Sequence, residues 1–350
     1  MGTSLSVVLP NFNHARYLPR AISALLSQEL RPSEIILVDD ASTDDSLAVI
    51  NRFAAETPLI RVVINPRNLG VNNCLNRGLT LARNRYVYFA AADDWVLSGF
   101  FSCAVAILED HPTAGLACGE ARLIDGTSGR PLGIRPPVRP LNRTGLLEPE
   151  RACAFLARAD NWTLTGSTIF RREAVVWAGG FDEQLGSFAD GFVARKIALT
   201  YGFCFIPRVV ATWVIYSNSF SRQTALDVER AQQLLEHIGA RLATDPIFPK
   251  WYAGVFANRW RFATSKLALE ASPVNYEFLM MMAARSSLDR HIIFMLSRSP
   301  WWLPRIFLLA WLWLRFHPTT LVGLILTALA RRLSKIRDAL KIGKAREELL

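Results

Sequence analysis

The chain has 350 residues, 51% of them apolar, a mean hydropathy of +0.19 and a net charge of +10. These values leave room for one large or two modest domains with an ample core, and the apolar content predicts that some surface meets lipid. The charge is uneven: from Arg298 onward ten Lys/Arg face three Asp/Glu, a net of +7, which leaves +3 for the first 297 residues. A basic, apolar end of this kind points to an anionic membrane surface and not to nucleic acid. The cysteines Cys74, Cys103, Cys118, Cys153 and Cys204 show no CxxC and no metal-ligand spacing, which excludes a zinc module; reduced thiols, several in the core, are expected. Met1-Gly2-Thr3-Ser4 leads straight into a strand pattern, so no cleavable signal peptide is expected.

In chain order, Leu5–Leu9 reads as a strand ended by Pro10, and 15–28 carries Leu18, Ile22, Leu25 and Leu26 at helical spacing. A second strand spans 34–38. The helix after it is expected to begin at Ser42-Thr43-Asp44-Asp45, a capping sequence with an acid three residues on. A third strand at 60–64, a helix at 71–82 and a fourth strand at 86–89 follow, then a helix capped by Ser98 and stopped near Pro112. Residues 125–150, rich in Gly, Pro and Arg, read as a long surface loop. Beyond them come a strand at 168–170, the turn Gly179-Gly180-Phe181-Asp182, a helix from Asp190, strands near 203–206 and 209–215, and a helical pattern from Gln223 to about Met295. The β-α-β-α rhythm of the first half predicts a mainly parallel sheet with helices on both faces.

Two acidic pairs end apolar runs: Asp39-Asp40 after Ile35–Val38, and Asp93-Asp94 just beyond Tyr86–Phe89. Carboxylates at the carboxyl ends of strands project into the crevice where open α/β sheets bind ligands. Four such acids repel one another unless a metal or ligand donors offset the charge. No Gly-x-Gly-x-x-Gly follows the first strand and no Walker A sequence appears, so a nucleotide here needs a metal at its phosphates.

Residues 4–221 resemble the family 2 glycosyltransferases, whose fold is GT-A. The similarity rests on Val8-Leu9-Pro10-Asn11-Phe12-Asn13, on Val38-Asp39-Asp40-Ala41-Ser42-Thr43-Asp44 against Val-Asp-Asp-Gly-Ser-x-Asp, and on Asn68-Leu69-Gly70 with Asn76 and Gly78. Ala92-Asp93-Asp94, and Gly179-Gly180-Phe181-Asp182-Glu183 with Asp190, complete the order. The resemblance implies a GT-A nucleotide-diphospho-sugar transferase fold over 1–221; beyond it the residue pattern reads as a helical extension over 222–297 and membrane-associating helices with a basic tail over 298–350. The resemblance also implies an inverting reaction: a sugar moves from a nucleotide-diphospho sugar to a hydroxyl of a glycan or lipid-linked glycan, in cell-surface polysaccharide or glycolipid synthesis at the cytoplasmic membrane face.

On the same resemblance, Asp40 accepts from the nucleobase, Pro10 and Phe12 border the base, and Asp39 lies near the ribose or shapes the turn. Asn13, Asn68, Gly70 and Asn76 belong to the cofactor-binding set with Asp93; Asp93 and Asp94 hold Mg²⁺ or Mn²⁺; Asp190 is the catalytic base. The chain departs from the family at three positions. Ala91 stands where an acid is common, Ala189 precedes the base in place of Glu, and Leu75 replaces an Arg. Phe256 replaces the Gln of the Gln-x-x-Arg-Trp motif of processive members, ahead of Arg259-Trp260, which argues against a polymer-extruding synthase.

Ala91 and Ala189 motivate an alternative, a non-catalytic sugar-nucleotide or lipid-binding scaffold. A nucleotidylyltransferase would require a Gly-rich basic loop after the first strand, and Pro10-Asn11-Phe12-Asn13 is not one. Trp162 and Trp213 are expected on the acceptor side. At the C-terminal end, Trp301–Leu314 and Leu321–Ala330 are apolar but each is short of the roughly 20 residues of a spanning helix. Two interfacial helices or a shallow hairpin, followed by Arg331, Arg332, Lys335, Arg337, Lys341, Lys344 and Arg346, are the expectation.

Overall fold

The computed structural model describes residues 5–163, 165–216, 226–271, 273–297 and 302–347. The expected domain boundaries at 221/222 and 297/298 adjoin or fall on residues outside that set.

The chain begins with β1 (Leu5–Asn11), α1 (Leu18–Leu26), β2 (Glu34–Asp39), α2 (Ser46–Glu56), β3 (Ile60–Ile64), α3 (Val71–Leu81) and β4 (Tyr86–Phe89). β1 lies between β2 and β4, parallel to both, and β2 pairs in parallel with β3. Leu5, Val7, Val8 and Leu9 are wholly buried, as expected where a parallel strand is covered on both faces. Alternate residues serve opposite layers. Leu5, Val7, Leu9, Tyr86 and Tyr88 pack with Leu18 and Ile22 of α1, while Val8, Val87 and Phe89 pack with Leu75 and Leu79 of α3.

The second half of the sheet contains β5 (Trp95–Val96), β6 (Leu116–Asp125), β7 (Pro131–Arg135), β8 (Gly145–Leu147), β9 (Thr168–Arg171) and β10 (Phe203–Ile215). The spatial order is β3-β2-β1-β4-β9-β6-β10-β5, with β7 on β6 and β8 on β10. Antiparallel β9 is wedged between β4 and β6, and β6 is parallel to β10. β1 to β4, β6 and β10 therefore run one way and the remaining strands the other, the mainly parallel GT-A arrangement. Two separate strands were expected at 203–206 and 209–215; they form one strand, β10, whose register against β6 shifts between Ile206 and Val209 and again between Val209 and Ala211.

Helices α4 (Phe100–Asp110), α5 (Pro149–Arg158), α6 (Arg172–Ala178) and α7 (Ala189–Tyr201) cover this half. The C-terminal region holds α8 (Val228–Thr244), α9 (Tyr252–Glu270), α10 (Tyr276–Ala283), α11 (Ser287–Ser297), α12 (Trp302–Phe316) and α13 (Leu321–Glu347). One apolar cluster runs from Val8 and Phe170 through Phe188 and Tyr252 to Leu308, Leu312 and Phe316, so the helical extension shares the core of the sheet's α3 face. Arg259, on α9, is buried and donates to the carbonyls of Leu156, Ala157 and Pro318. Phe256, at the family's Gln position, packs 4.4 Å from the Phe188 ring.

Several local expectations are corrected. Ser42 does not cap α2: its hydroxyl is used on Asp39, Asn11 and the Asn13 amide, and the helix starts at Ser46, whose amide donates to Asp44. Ser98 does not cap α4; Gly99, at φ +77°, turns the chain into that helix. The expected loop 125–150 contributes β7 and β8 and meets the C-terminal helices, since its backbone finds partners on β6, β10 and α13. Trp162 is 1% exposed and stacks 4.0 Å from Phe203, so it is a core residue and not a sugar platform. Trp213 is partly buried. Of the cysteines, Cys74, Cys118 and Cys204 are buried and all five are free thiols.

Candidate active site

The ends of β1 and β2 form the first part of the site. Asp39 is 0% exposed: Oδ1 accepts from Asn11 Nδ2 at 2.8 Å and from the Ser42 hydroxyl at 2.6 Å, and Oδ2 accepts from the Ser42 amide at 3.0 Å. Of the two roles open to it, these bonds match the turn-shaping one. Asn13, at φ +56°, accepts through Oδ1 from the amides of Thr43 and Asp44 and so ties the β1 loop to the β2 loop. Between the acids and Ser42, Ala41 stands at φ +60°, where the family segment has glycine.

Asp40, 3% exposed, holds the loop that leads to α3. Its Oδ1 accepts from Asn65 Nδ2 at 2.6 Å and from the Leu69 amide at 2.9 Å; Oδ2 accepts from the Gly70 amide at 2.8 Å. Gly70 also donates to Asn68 Oδ1 at 3.0 Å, and its φ of +87° explains why glycine stands there. The Cys74 thiol also lies within hydrogen-bonding reach of this carboxylate. Asn65 also donates to Cys74 Sγ. Burial, then Asp40, push the Cys74 thiol up to about 12, which makes it inert. Pro10 is half-buried and Phe12 is 40% exposed at the mouth of this loop.

Asp93 and Asp94 follow β4. The Val214 amide of β10 donates to Asp94 Oδ1 at 2.8 Å. Removal from water, then the adjacent Asp93 charge, raise the Asp94 carboxyl well above its usual range, opposed by the Val214 bond and by Arg20. Arg20 donates to the Asp93 carbonyl at 3.2 Å and stacks 3.8 Å from the Trp95 ring. Tyr17 and Tyr216 meet beside this group with ring centroids 5.2 Å apart. Among the described residues no third His, Cys, Asp or Glu joins the pair to make a protein-only metal cage. Two crowded hard-oxygen donors fit Mg²⁺ or Mn²⁺, which take remaining ligands from phosphate oxygens and water.

A three-residue 3-10 turn, Thr165–Ser167, connects this pair to Asp190. On one side a methyl group added to Gly166 would stand 3.8 Å from Asp94 Oδ2, and the Gly166 carbonyl accepts from the Tyr88 hydroxyl at 2.8 Å. On the other, the Thr165 hydroxyl donates to Asp190 Oδ2. Asp190 lies in the first turn of α7, half-buried, with the Gly191 amide on Oδ1 at 2.6 Å. The buried Arg195, one turn further on, carries its charge close to Asp190.

α3 sets the approach to α7. Asn76 Nδ2 donates to the Phe181 carbonyl and Oδ1 accepts from the Phe181 amide, both at 2.8 Å. Asn72 Nδ2 donates to the Gly186 carbonyl at 3.0 Å. Gly180, at φ +70°, has no room for a side chain: a Cβ would lie 2.6 Å from Asn76 Oδ1. Asn76, expected among the cofactor-binding residues, therefore spends its amide on the turn that precedes Asp190. Sequence reasoning missed Asn65, Asn72, Thr165 and Arg20. Asn65 directly follows a strand and was detectable on that ground; the partners of the other three lie 73 to 114 positions away or on a turn with no pattern of its own.

Comparison with known proteins agrees with this geometry. The chain is 25% identical over 265 residues to MT1568 of Mycobacterium tuberculosis, covering 73% of this chain and 81% of the relative. It is 40% identical over 90 residues to the glycosyltransferase alr2836 of Nostoc sp., covering 26% of this chain and 28% of that protein. Several other relatives, among them proteins of Haemophilus influenzae and Bacillus subtilis, are matched over less than half their length. Two solved structures share the fold: Staphylococcus aureus TarS 1–349 in complex with UDP-GlcNAc (TM-score 0.59, 15% identity, 89% of this chain and 90% of that one) and the Pyrobaculum calidifontis mannosyltransferase PcManGT in complex with GDP-Man and Mn²⁺ (TM-score 0.57, 22% identity, 94% and 88%). Residues 6–176, which contain both acidic pairs and the turn that reaches Asp190, match the model of glycosyl transferase family 2.

Proposed function

We propose that the protein is an inverting, metal-dependent glycosyltransferase that moves a sugar from a nucleotide-diphospho sugar to a hydroxyl of a glycan or lipid-linked glycan, in cell-surface polysaccharide or glycolipid assembly. The observation that carries this reading is the turn Thr165–Ser167, which sets Gly166 beside Asp94 and bonds Asp190 through the Thr165 hydroxyl. An acidic pair suited to a diphosphate and a carboxylate suited to a hydroxyl are thereby held on either side of one small element. Asp40 is the proposed acceptor for a nucleobase N–H, and Phe12 offers an exposed ring for the base. Fold neighbours bound to UDP-GlcNAc and to GDP-Man with Mn²⁺ support the donor class.

Asp93 and Asp94 would hold Mg²⁺ or Mn²⁺ together with the donor diphosphate, and the ion would neutralise charge developing on the leaving group. Asp190 takes the proton of the acceptor hydroxyl as its oxygen bonds to the anomeric carbon and the bond to the diphosphate oxygen breaks. A single base with in-line attack inverts that carbon. Thr165 and the Gly191 amide orient the carboxylate.

The test is transfer by the purified protein with Mn²⁺ and a nucleotide sugar. Asp190→Asn is expected to lower transfer by about 10²–10⁴-fold with donor binding intact by calorimetry. Unchanged transfer removes Asp190 from the mechanism. Donor binding by the wild type without transfer to any of a broad acceptor panel favours the scaffold reading raised by Ala91 and Ala189.

A further inference from the structure

We propose that the outward face of α12 and α13 is a docking surface for an anionic lipid bilayer, with both helices lying along its interface. The inference does not rest on the proposed chemistry.

The amphipathicity of α13 is inverted relative to a helix packed on a soluble protein. Gly323, Thr327 and Arg331, spaced by four, face the protein. A methyl group on Gly323 would stand 3.0 Å from Val138, Thr327 Oγ1 accepts from the Arg139 amide at 3.0 Å, and Arg331 donates to the buried Glu120 at 2.6 and 2.9 Å. Val322, Ile325, Leu326, Leu329 and Leu333, at i, i+3, i+4, i+7 and i+11, face outward and are each more than half exposed. On α12 the exposed set Leu303, Ile306, Phe307 and Leu314 repeats that spacing, while Leu308, Leu312 and Phe316 join the core. A helix that buries small and charged residues and displays branched apolar ones has its apolar stripe aimed at another apolar phase.

Lying flat follows from the bend. Among the described residues no single helix is long and apolar enough to cross a membrane, and the pair is bent by 112°. A hairpin that dips into a bilayer leads with its bend, but this bend is tied to the protein. Phe316 is buried, the Pro318 carbonyl accepts from Arg259 at 2.9 Å, and Arg315 pairs with the buried Asp289 at 3.3 Å. The two stripes are left to meet an interface side-on.

Charge selects the occupant. Beyond Arg331, which is spent on Glu120, the sequence from Arg332 to Arg346 holds six Lys/Arg against the single acid Asp338. Anionic headgroups complement this basic segment, which continues the apolar stripe along the same helix.

The experiment is co-sedimentation of the full chain with vesicles of phosphatidylcholine alone and of phosphatidylcholine mixed with phosphatidylglycerol. Light scattering of the same protein in detergent-free buffer reads its oligomeric state. Binding to the mixed vesicles, weakened by high salt, is expected. The double variant Ile325→Gln, Leu329→Gln is expected to lower partitioning by at least ~10-fold with an unchanged urea midpoint, because both side chains point away from the core. No binding to either vesicle, equal binding to both, or unchanged partitioning of the variant overturns the proposal. So does a wild-type dimer that the variant dissolves, which assigns the face to a second copy.

Discussion

Asn76→Ala separates a residue that positions the site from one that touches the donor. The amide of Asn76 makes a matched pair of 2.8 Å hydrogen bonds to the N–H and C=O of Phe181. Each is worth about 1 kcal/mol net, and the two Phe181 groups left in a partly buried turn add a desolvation cost, so a loss of about 2–4 kcal/mol is expected. Asn76→Asp retains the acceptor for the Phe181 amide but sets an oxygen against the Phe181 carbonyl, and should cost at least half as much. The turn Phe181–Phe188 leads directly into α7, so its release displaces Asp190. A shift of about 1 Å at a catalytic group costs on the order of 10²-fold in rate. Urea unfolding gives the stability, and steady-state kinetics at saturating donor, with calorimetric donor Kd, divides the effect. A fall in kcat with donor Kd unchanged is the expected result. A weakened donor Kd with kcat intact would refute the positioning role and return Asn76 to the nucleotide, and a stability change below about 0.5 kcal/mol would refute the hydrogen-bond account.

Two further outcomes are expected. Ala41 at φ +60° carries the left-handed cost of about 1–2 kcal/mol, and glycine there gives back about 0.5–1 kcal/mol as extra freedom of the unfolded chain. Ala41→Gly should therefore shift stability by zero to about 1.5 kcal/mol in favour of the variant; clear destabilisation in urea contradicts the reading of the β2 turn. Asp289, which anchors Arg315 at the helix bend, is raised by removal from water, but Ser286, the Arg285 amide and Arg315 outweigh this and hold its carboxyl below the usual range. A carboxyl with a lowered folded value contributes stability that is fully present above the ordinary carboxylate range and is lost as pH falls through the lowered value. The stability gap between wild type and Asp289→Asn should accordingly be largest near neutral pH and close in acid; a gap that persists or widens in acid counts against the ion pair.

The parts legible in the sequence are those governed by neighbours in the chain. β3 and β4 begin and end where their apolar runs do, and β1, β2 and α3 differ from expectation by one or two residues, because parallel strands buried on both faces require continuous apolar segments. The antiparallel half was less legible. β6 and β9 pair Leu116 with Phe170, and nothing in the periodicity of either segment names its partner. β5 and β6 lay outside any expected strand, and β7 and β8 fell inside the expected loop 125–150.

The same division holds for the site. Sequence order alone determined the two acidic pairs, the Gly-Gly-Phe-Asp turn and Asp190, because side-chain chemistry and strand ends are local properties, and it determined that the C-terminal helices are apolar and basic. Tertiary structure decided what each group does. It buried Asp39 in its own turn, gave Asp40 to the loop at 65–70, drew Asn76 to Phe181, and set Thr165 and Gly166 between Asp190 and Asp94. It also decided which face of α13 points inward, since the Arg331 partner, Glu120, is 211 residues away. A hydrogen-bonding group does not encode its partner; only the packed chain brings the two together, and the burial that results determines whether a carboxylate shapes a turn or remains open to a ligand.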